Sequence, residues 1–70
     1  MKYDYQRIRE EIAEQLSIID PDAAMWYRGA DRATRLYYAA KVVERVEDEK
    51  QDYSQAVADT AEIARANFRS

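Results

Sequence analysis

Between Tyr3 and Ile19 the apolar residues Tyr5, Ile8, Ile12, Leu16 and Ile19 recur at intervals of three or four, separated by Arg7, Arg9, Glu10, Glu11 and Glu14. That period gathers the apolar positions onto one side of a helix and predicts an amphipathic first helix, with Ile18 widening its stripe. The near-heptad rhythm fits packing along a partner helix, either within the chain or across a dimer. Asp20-Pro21-Asp22 ends the pattern. An aspartate suits an N-cap, proline the first helical position and a further acid the positive helix end, so a second helix is expected from here to about Arg28. It is short and densely apolar, carrying Ala23, Ala24, Met25, Trp26 and Tyr27. Gly29 fits either a helix stop or a small interior residue that lets another helix approach; the stop is preferred, because Asp31 can cap the next helix.

From Arg32 to about Lys50 no residue breaks a helix, and one long helix is expected. Its predicted buried line is Ala33, Leu36, Ala40 and Val43, with Tyr37 and Val46 beside it. The polar run Glu47 to Asp52 is where that helix can end. Asp52 with Gln55 resembles a capping box for a last helix, Ser54 being the alternative cap. This helix runs to about Phe68 and is expected to bury Tyr53, Val57, Ala61 or Ala64, and Phe68, with Ile63 to one side. No repeat, linker or low-complexity segment interrupts the chain. The pattern predicts an all-α fold: one domain over residues 1–70, built as a small three- to four-helix bundle with antiparallel neighbours.

Composition adds a size problem and removes most chemistry. A chain of 70 residues buries only about 60% of its unfolded surface, and with no Cys there is no disulfide to help. Pairing is the remaining way to enlarge the core, so a homodimer is expected. The absence of both His and Cys removes the usual zinc ligands and nucleophile–base pairs. A single Gly excludes a glycine-rich phosphate loop, and the run Glu47, Asp48, Glu49, Asp52 lacks the glycine and the ligand spacing of a calcium loop. Pairs such as Glu10 with Glu14 would need a cleft that shifts their pKa values before they could do acid–base work. No catalytic residue, metal site or cofactor is therefore expected, and the protein is not expected to be an enzyme. The start Met1-Lys2-Tyr3-Asp4 runs straight into charged residues, so neither a signal peptide nor a membrane span is expected, and the cytoplasm is the expected location.

Charge changes the picture more by its distribution than by its sum. The net charge is −3 and the isoelectric point about 4.8, which argues against a general nucleic-acid coat. Residues 26–46 nevertheless hold Arg28, Arg32, Arg35, Lys41 and Arg45 against only Asp31 and Glu44. Arg28, Arg32 and Arg35 are spaced four and three apart, so on a continuous helix they share a face, and Tyr38 continues its edge. Guanidinium forks bind carboxylates and phosphates directionally, and aromatic residues are enriched where interfaces desolvate. The predicted partner-binding set is thus Arg28, Arg32, Arg35 and Tyr38 with Trp26 and Tyr27. The plainer alternative is that these arginines pair with the chain's own acids, as Asp31 with Arg35 or Lys41 with Glu44. On that alternative Trp26 and two of the tyrosines simply fill the core. Core is favoured for Trp26, and a surface position for Tyr38 and Tyr3.

The expected function is a small non-catalytic interaction module, a regulator, adaptor or inhibitor that binds a larger protein. The alternative is a DNA-binding regulator with a helix-turn-helix-like unit at residues 22–46, in which Arg32, Thr34, Arg35 and Tyr38 open the reading helix. The segment Met25-Trp26-Tyr27-Arg28-Gly29-Ala30-Asp31-Arg32 is locally similar to the aromatic-Tyr-x-small-Ala-Asp segment of the Hha/YmoA family, small helical bacterial proteins that modulate nucleoid-associated repressors by binding them. That likeness implies an adaptor that binds a DNA-binding protein, with Asp31, Arg28 and Arg32 at the contact. It is confined to this segment: the surrounding helices differ in length, a C-terminal helix is left over, and no family is assigned from it.

Overall fold

An aspartate opens every helix among the described residues. A computed structural model describes residues 3–70 and contains α1 (Tyr5–Ile19), α2 (Pro21–Gly29), α3 (Arg32–Glu47) and α4 (Tyr53–Arg69). The side chains of Asp4, Asp20 and Asp31 accept hydrogen bonds from the backbone N–H groups of Arg7 (3.2 Å), Ala23 (3.3 Å) and Thr34 (2.8 Å). Asp52 accepts from Ser54 (3.1 Å) and Gln55 (3.4 Å). Each cap satisfies an N–H that the first helical turn leaves without a partner. The capping box expected at Asp52 is only half formed, because the Gln55 side chain turns forward to Asp59 (2.8 Å).

The helix stops have separate causes. At the end of α1 the Asp20 N–H bonds the Leu16 carbonyl at 2.7 Å while its own backbone is already extended. α2 ends at Gly29, so the central stretch is broken there, and Ala30 is extended. Gly29 has no positive φ, and a Cβ on it would meet nothing within 4 Å. α3 ends three residues short of the expected Lys50. Lys50 itself is left-handed, with φ 57°, and over it the Gln51 N–H reaches the Arg45 carbonyl at 3.0 Å.

α1 lies against all three other helices, whereas α2 and α3 approach each other little despite being neighbours in sequence. Ile8, Ile12 and Leu16 are buried as the first stripe predicts, with Ala13 beside them. Ile18 is a correction: it is 77% exposed, on the far side of α1 from the core. On α4, Val57, Ala61 and Ala64 are buried together with Ala56 and Thr60, while Tyr53 and Phe68 pack on the core half-exposed and Ile63 stays 37% exposed. Half of the buried apolar residues are alanines (Ala13, Ala23, Ala24, Ala39, Ala56, Ala61 and Ala64), so the helices pack closely around a few large side chains.

α3 departs furthest from its sequence pattern. The predicted line Ala33, Leu36, Ala40 and Val43 is not the buried one: Ala33 and Ala40 are exposed, Leu36 and Val43 half-exposed. Tyr38, Ala39 and Val42 point inward instead. The surface position expected for Tyr38 is therefore overturned, since the residue is 4% exposed. What permits its burial is a partner for the hydroxyl, which accepts a hydrogen bond from Asn67 Nδ2 at 2.7 Å.

The end of α4 is fastened to the start of α2. Arg69 donates from Nε (2.9 Å) and Nη2 (2.8 Å) to the two carboxylate oxygens of Asp20, a bidentate fork on a residue only 6% exposed. Beside it Trp26 and Phe68 stack at 5.6 Å, and the Arg69 guanidinium lies 5.0 Å from the Phe68 ring centre. The Arg69 fork, and then the Ala23 N–H, hold the Asp20 carboxyl below its ordinary pKa against the opposing effect of desolvation. Among the described residues no helix is long and apolar enough to cross a membrane.

The turns and this fork can each be tested by substitution. Gly29→Ala meets open space at an ordinary φ and Lys50→Gly relieves a left-handed side chain, so each should raise unfolding stability, by about 0.5–1 kcal/mol in urea titration. A carboxyl whose folded pKa lies below its unfolded value of about 3.9 stabilises fully above that pH, and the contribution disappears as pH falls through the lower, folded pKa. Asp20→Asn should therefore be less stable than the parent at pH 7, and the gap should narrow below about pH 4.

Candidate functional site: an arginine corner at Tyr27

Arginine geometry decides what the basic middle of the chain can do. The break at Ala30 removes the continuous helix on which Arg28, Arg32 and Arg35 were expected to share a face. Arg28 ends α2, where a cation complements the helix dipole, and is exposed; Arg32 opens α3 and is exposed. Arg35 turns inward, half-buried, and its Nε is shielded from solvent with no hydrogen-bond partner. The expected Asp31–Arg35 ion pair is not made, since Asp31 is engaged with Thr34, although the Arg35 charge still helps to lower the Asp31 pKa. Lys41 does pair with Glu44, loosely, at 3.9 Å.

The structure adds a residue that sequence reasoning missed. The charges of Arg9 on α1 and Arg35 on α3 both bear on the Tyr27 hydroxyl, where they favour the phenolate. Nothing in the α1 pattern distinguishes Arg9 from Arg7, which is absorbed by Glu11 at 3.1 Å. Only the fold sets the Arg9 and Arg35 charges on the same tyrosine. Among the described residues Arg9, Arg28, Arg32, Arg35 and, just beyond the end of α3, Lys50 make no ion pair, whereas Arg7, Lys41, Arg45, Arg65 and Arg69 all do.

Tyr27 sits at the centre of this corner and is 1% exposed. Its ring lies 6.0 Å from that of Tyr38, and its hydroxyl has only a long 3.5 Å hydrogen bond to the Arg35 carbonyl. Burial pushes the Tyr27 hydroxyl up to about 12, while the Arg9 and Arg35 charges oppose that rise by favouring the phenolate. Two cations and a weakly engaged hydroxyl make a place that attracts an anion and offers no base or nucleophile to transform it. Trp26 is half-buried against Phe68. Of the predicted binding set, Arg28 and Arg32 are therefore exposed, Arg35 and Trp26 half-exposed, and Tyr27 and Tyr38 buried.

An open cleft lies elsewhere. It holds about 320 Å³ between α1 and α4 and is lined by Glu11, Glu14, Ile18, Tyr53 and Val57. The Tyr53 hydroxyl donates to Glu11 across it, and burial together with that bond raises the Tyr53 pKa to about 12. No group of three or more acidic side chains among the described residues is arranged to hold a metal ion.

No family model, no curated protein and no solved structure matches the chain, so the corner must be interpreted from its own geometry.

The two tyrosines raised to about 12, Tyr27 and Tyr53, give a direct check. Their folded forms keep a proton that the unfolded chain releases near pH 10, so stability is complete below about pH 10 and falls as pH rises towards about 12. Ultraviolet titration should show two of the six tyrosines ionising near pH 12, and Tyr27→Phe should remove one of these late steps.

Proposed function

We propose that this protein is a small non-catalytic interaction module that acts as a regulator, adaptor or inhibitor by binding an acidic segment of a larger protein at the Arg9–Tyr27–Arg35 corner. One observation carries the reading: in a chain of net charge −3, Arg9, Arg28, Arg32 and Arg35 go without ion pairs among the described residues. Guanidinium groups left without internal carboxylates suit an external one, which can take both N–H edges of a fork. Arg28 and Arg32, exposed on either side of the helix break, would guide and hold such a segment from the rim. In this reading the module works in the cytoplasm and as a homodimer.

Two features weigh against the helix-turn-helix alternative. Tyr38, one of the four side chains it would present to a groove, is buried, and Arg35 and Thr34 are half-buried. α2 and α3 also lack the close mutual packing that makes such a pair a rigid reading unit.

A tagged protein should capture a stoichiometric protein partner from its native lysate, with and without nuclease. Arg9→Gln with Arg28→Gln, checked by circular dichroism for an unchanged helical fold, should weaken capture about tenfold or more. Equal capture by the neutralised protein would sink the arginine-corner reading, and recovery that vanishes with nuclease would replace it with a nucleic-acid ligand.

A further inference from the structure

α3 has two apolar faces, and the core uses only one. Tyr38, Ala39 and Val42 face inward, which leaves Ala33, Leu36, Tyr37 and Ala40 on the other side, with Val43 at its border and still packed in part on the core. At about 3.6 residues per turn these five fall within about a third of the helix circumference, with Ala40 at the middle. α3 is accordingly the least one-sided of the four helices. Apolar residues scattered singly over a surface need no explanation, but an unbroken stripe along a helix implies a covering surface. Tyr37, 55% exposed, is held ready in that stripe by an edge contact with Tyr38 at 5.2 Å and by Lys41 Nζ 5.3 Å from its ring centre.

The ends of the stripe identify what covers it. Arg32 lies at its N-terminal end and makes no ion pair among the described residues, while Glu44, loosely paired with Lys41, and Glu47, which accepts from the Tyr3 hydroxyl, lie exposed at its C-terminal end and keep their negative charge there. We infer that the occupant is a second copy of this chain, docked α3 to α3 in antiparallel fashion about a two-fold axis at Ala40. Arg32 stands about as far before Ala40 as Glu47 stands after it, so the axis sets Arg32 of each copy beside Glu47 of the other. Leu36 meets Val43 of the second copy on the same side, and the small Ala40 residues face each other where the helix backbones come closest. A parallel pairing would instead place Arg32 on Arg32 and Glu47 on Glu47, and like charges would oppose it.

This inference rests on the homodimer of the preceding reading and shares Arg32 with its arginine rim, but Arg9 and Arg28, the residues neutralised in the capture test, lie outside α3, so the two readings fail in separate experiments. The test uses the self-pairing of one position. Wild type, Ala40→Glu and Ala40→Arg are each run by sedimentation velocity over a range of concentrations, with circular dichroism confirming that the exposed substitutions leave the helices intact. Wild type should be dimeric, each variant monomeric, and an equimolar mixture of the two variants dimeric again, because opposite charges then meet at the axis. A monomeric wild type at all concentrations would remove the homodimer and its interface together. A dimer that survives Ala40→Glu, or variants that fail to recombine when mixed, would overturn this interface alone.

Discussion

Asp20 joins three helix ends. Its N–H closes α1 on the Leu16 carbonyl, one carboxylate oxygen caps α2 at Ala23, and both oxygens take the fork of Arg69 from the last turn of α4. A small chain with no disulfide has to fix its termini by such contacts, since its core alone removes only part of its surface from water. The position also makes the fork demanding. Asp20 is almost fully buried, so losing Arg69 would leave a shielded carboxylate with only a helix N-terminus and the Arg65 charge to balance it. The neighbouring Trp26–Phe68 contact depends on the same registration of α2 against α4.

Tyrosine performs a related task elsewhere in the bundle. Tyr3 donates to Glu47, Tyr53 to Glu11, and Tyr38 accepts from Asn67, each bond joining segments far apart in sequence. An aromatic body with a polar tip suits a core lined by alanine: the ring fills volume that small side chains leave open, and the hydroxyl reaches a partner at the edge. This accounts for the six tyrosines of a 70-residue chain without assigning them all to a binding surface. Tyr37 is the one that neither fills the core nor bonds across helices, and it stands on the outer face of α3.

The helix order, the break at Gly29 and the caps at Asp20, Asp31 and Asp52 were legible in the sequence because each depends on residues within one turn of one another, whereas the Asp4 cap of α1 went unread. The α1 stripe was legible for the same reason, since Ile8, Ile12 and Leu16 alternate with charge and leave one choice of inner face. α3 offered two choices. Its apolar residues occur all round, and which side turns inward is decided by what α1 and α4 present, including the Asn67 amide that makes a buried Tyr38 acceptable. The joint action of Arg9 and Arg35 on Tyr27 and the Asp20–Arg69 fork involve residues distant in sequence, so no local spacing announces them. The shared arginine face was conditional on a helix unbroken from Arg28 to Arg35, and the break after Gly29 removes that condition.

The acidic net charge describes this protein's surface poorly, and the reason lies in how its carboxylates are used. Asp4, Asp20, Asp31 and Asp52 are occupied as helix caps. Glu11 serves Arg7 and Tyr53, Asp59 serves Gln51 and Gln55, and Glu49 and Glu62 pair with cations on their own helix or its end. These are short-range duties set by helix geometry, and they take most of the surplus away from the middle of the chain. Near the α2–α3 break only Asp31 is left, already bonded to Thr34, among arginines that it cannot neutralise. A chain can therefore carry more acids than bases and still present a cationic corner, because capping fixes where its carboxylates go before long-range attraction can act.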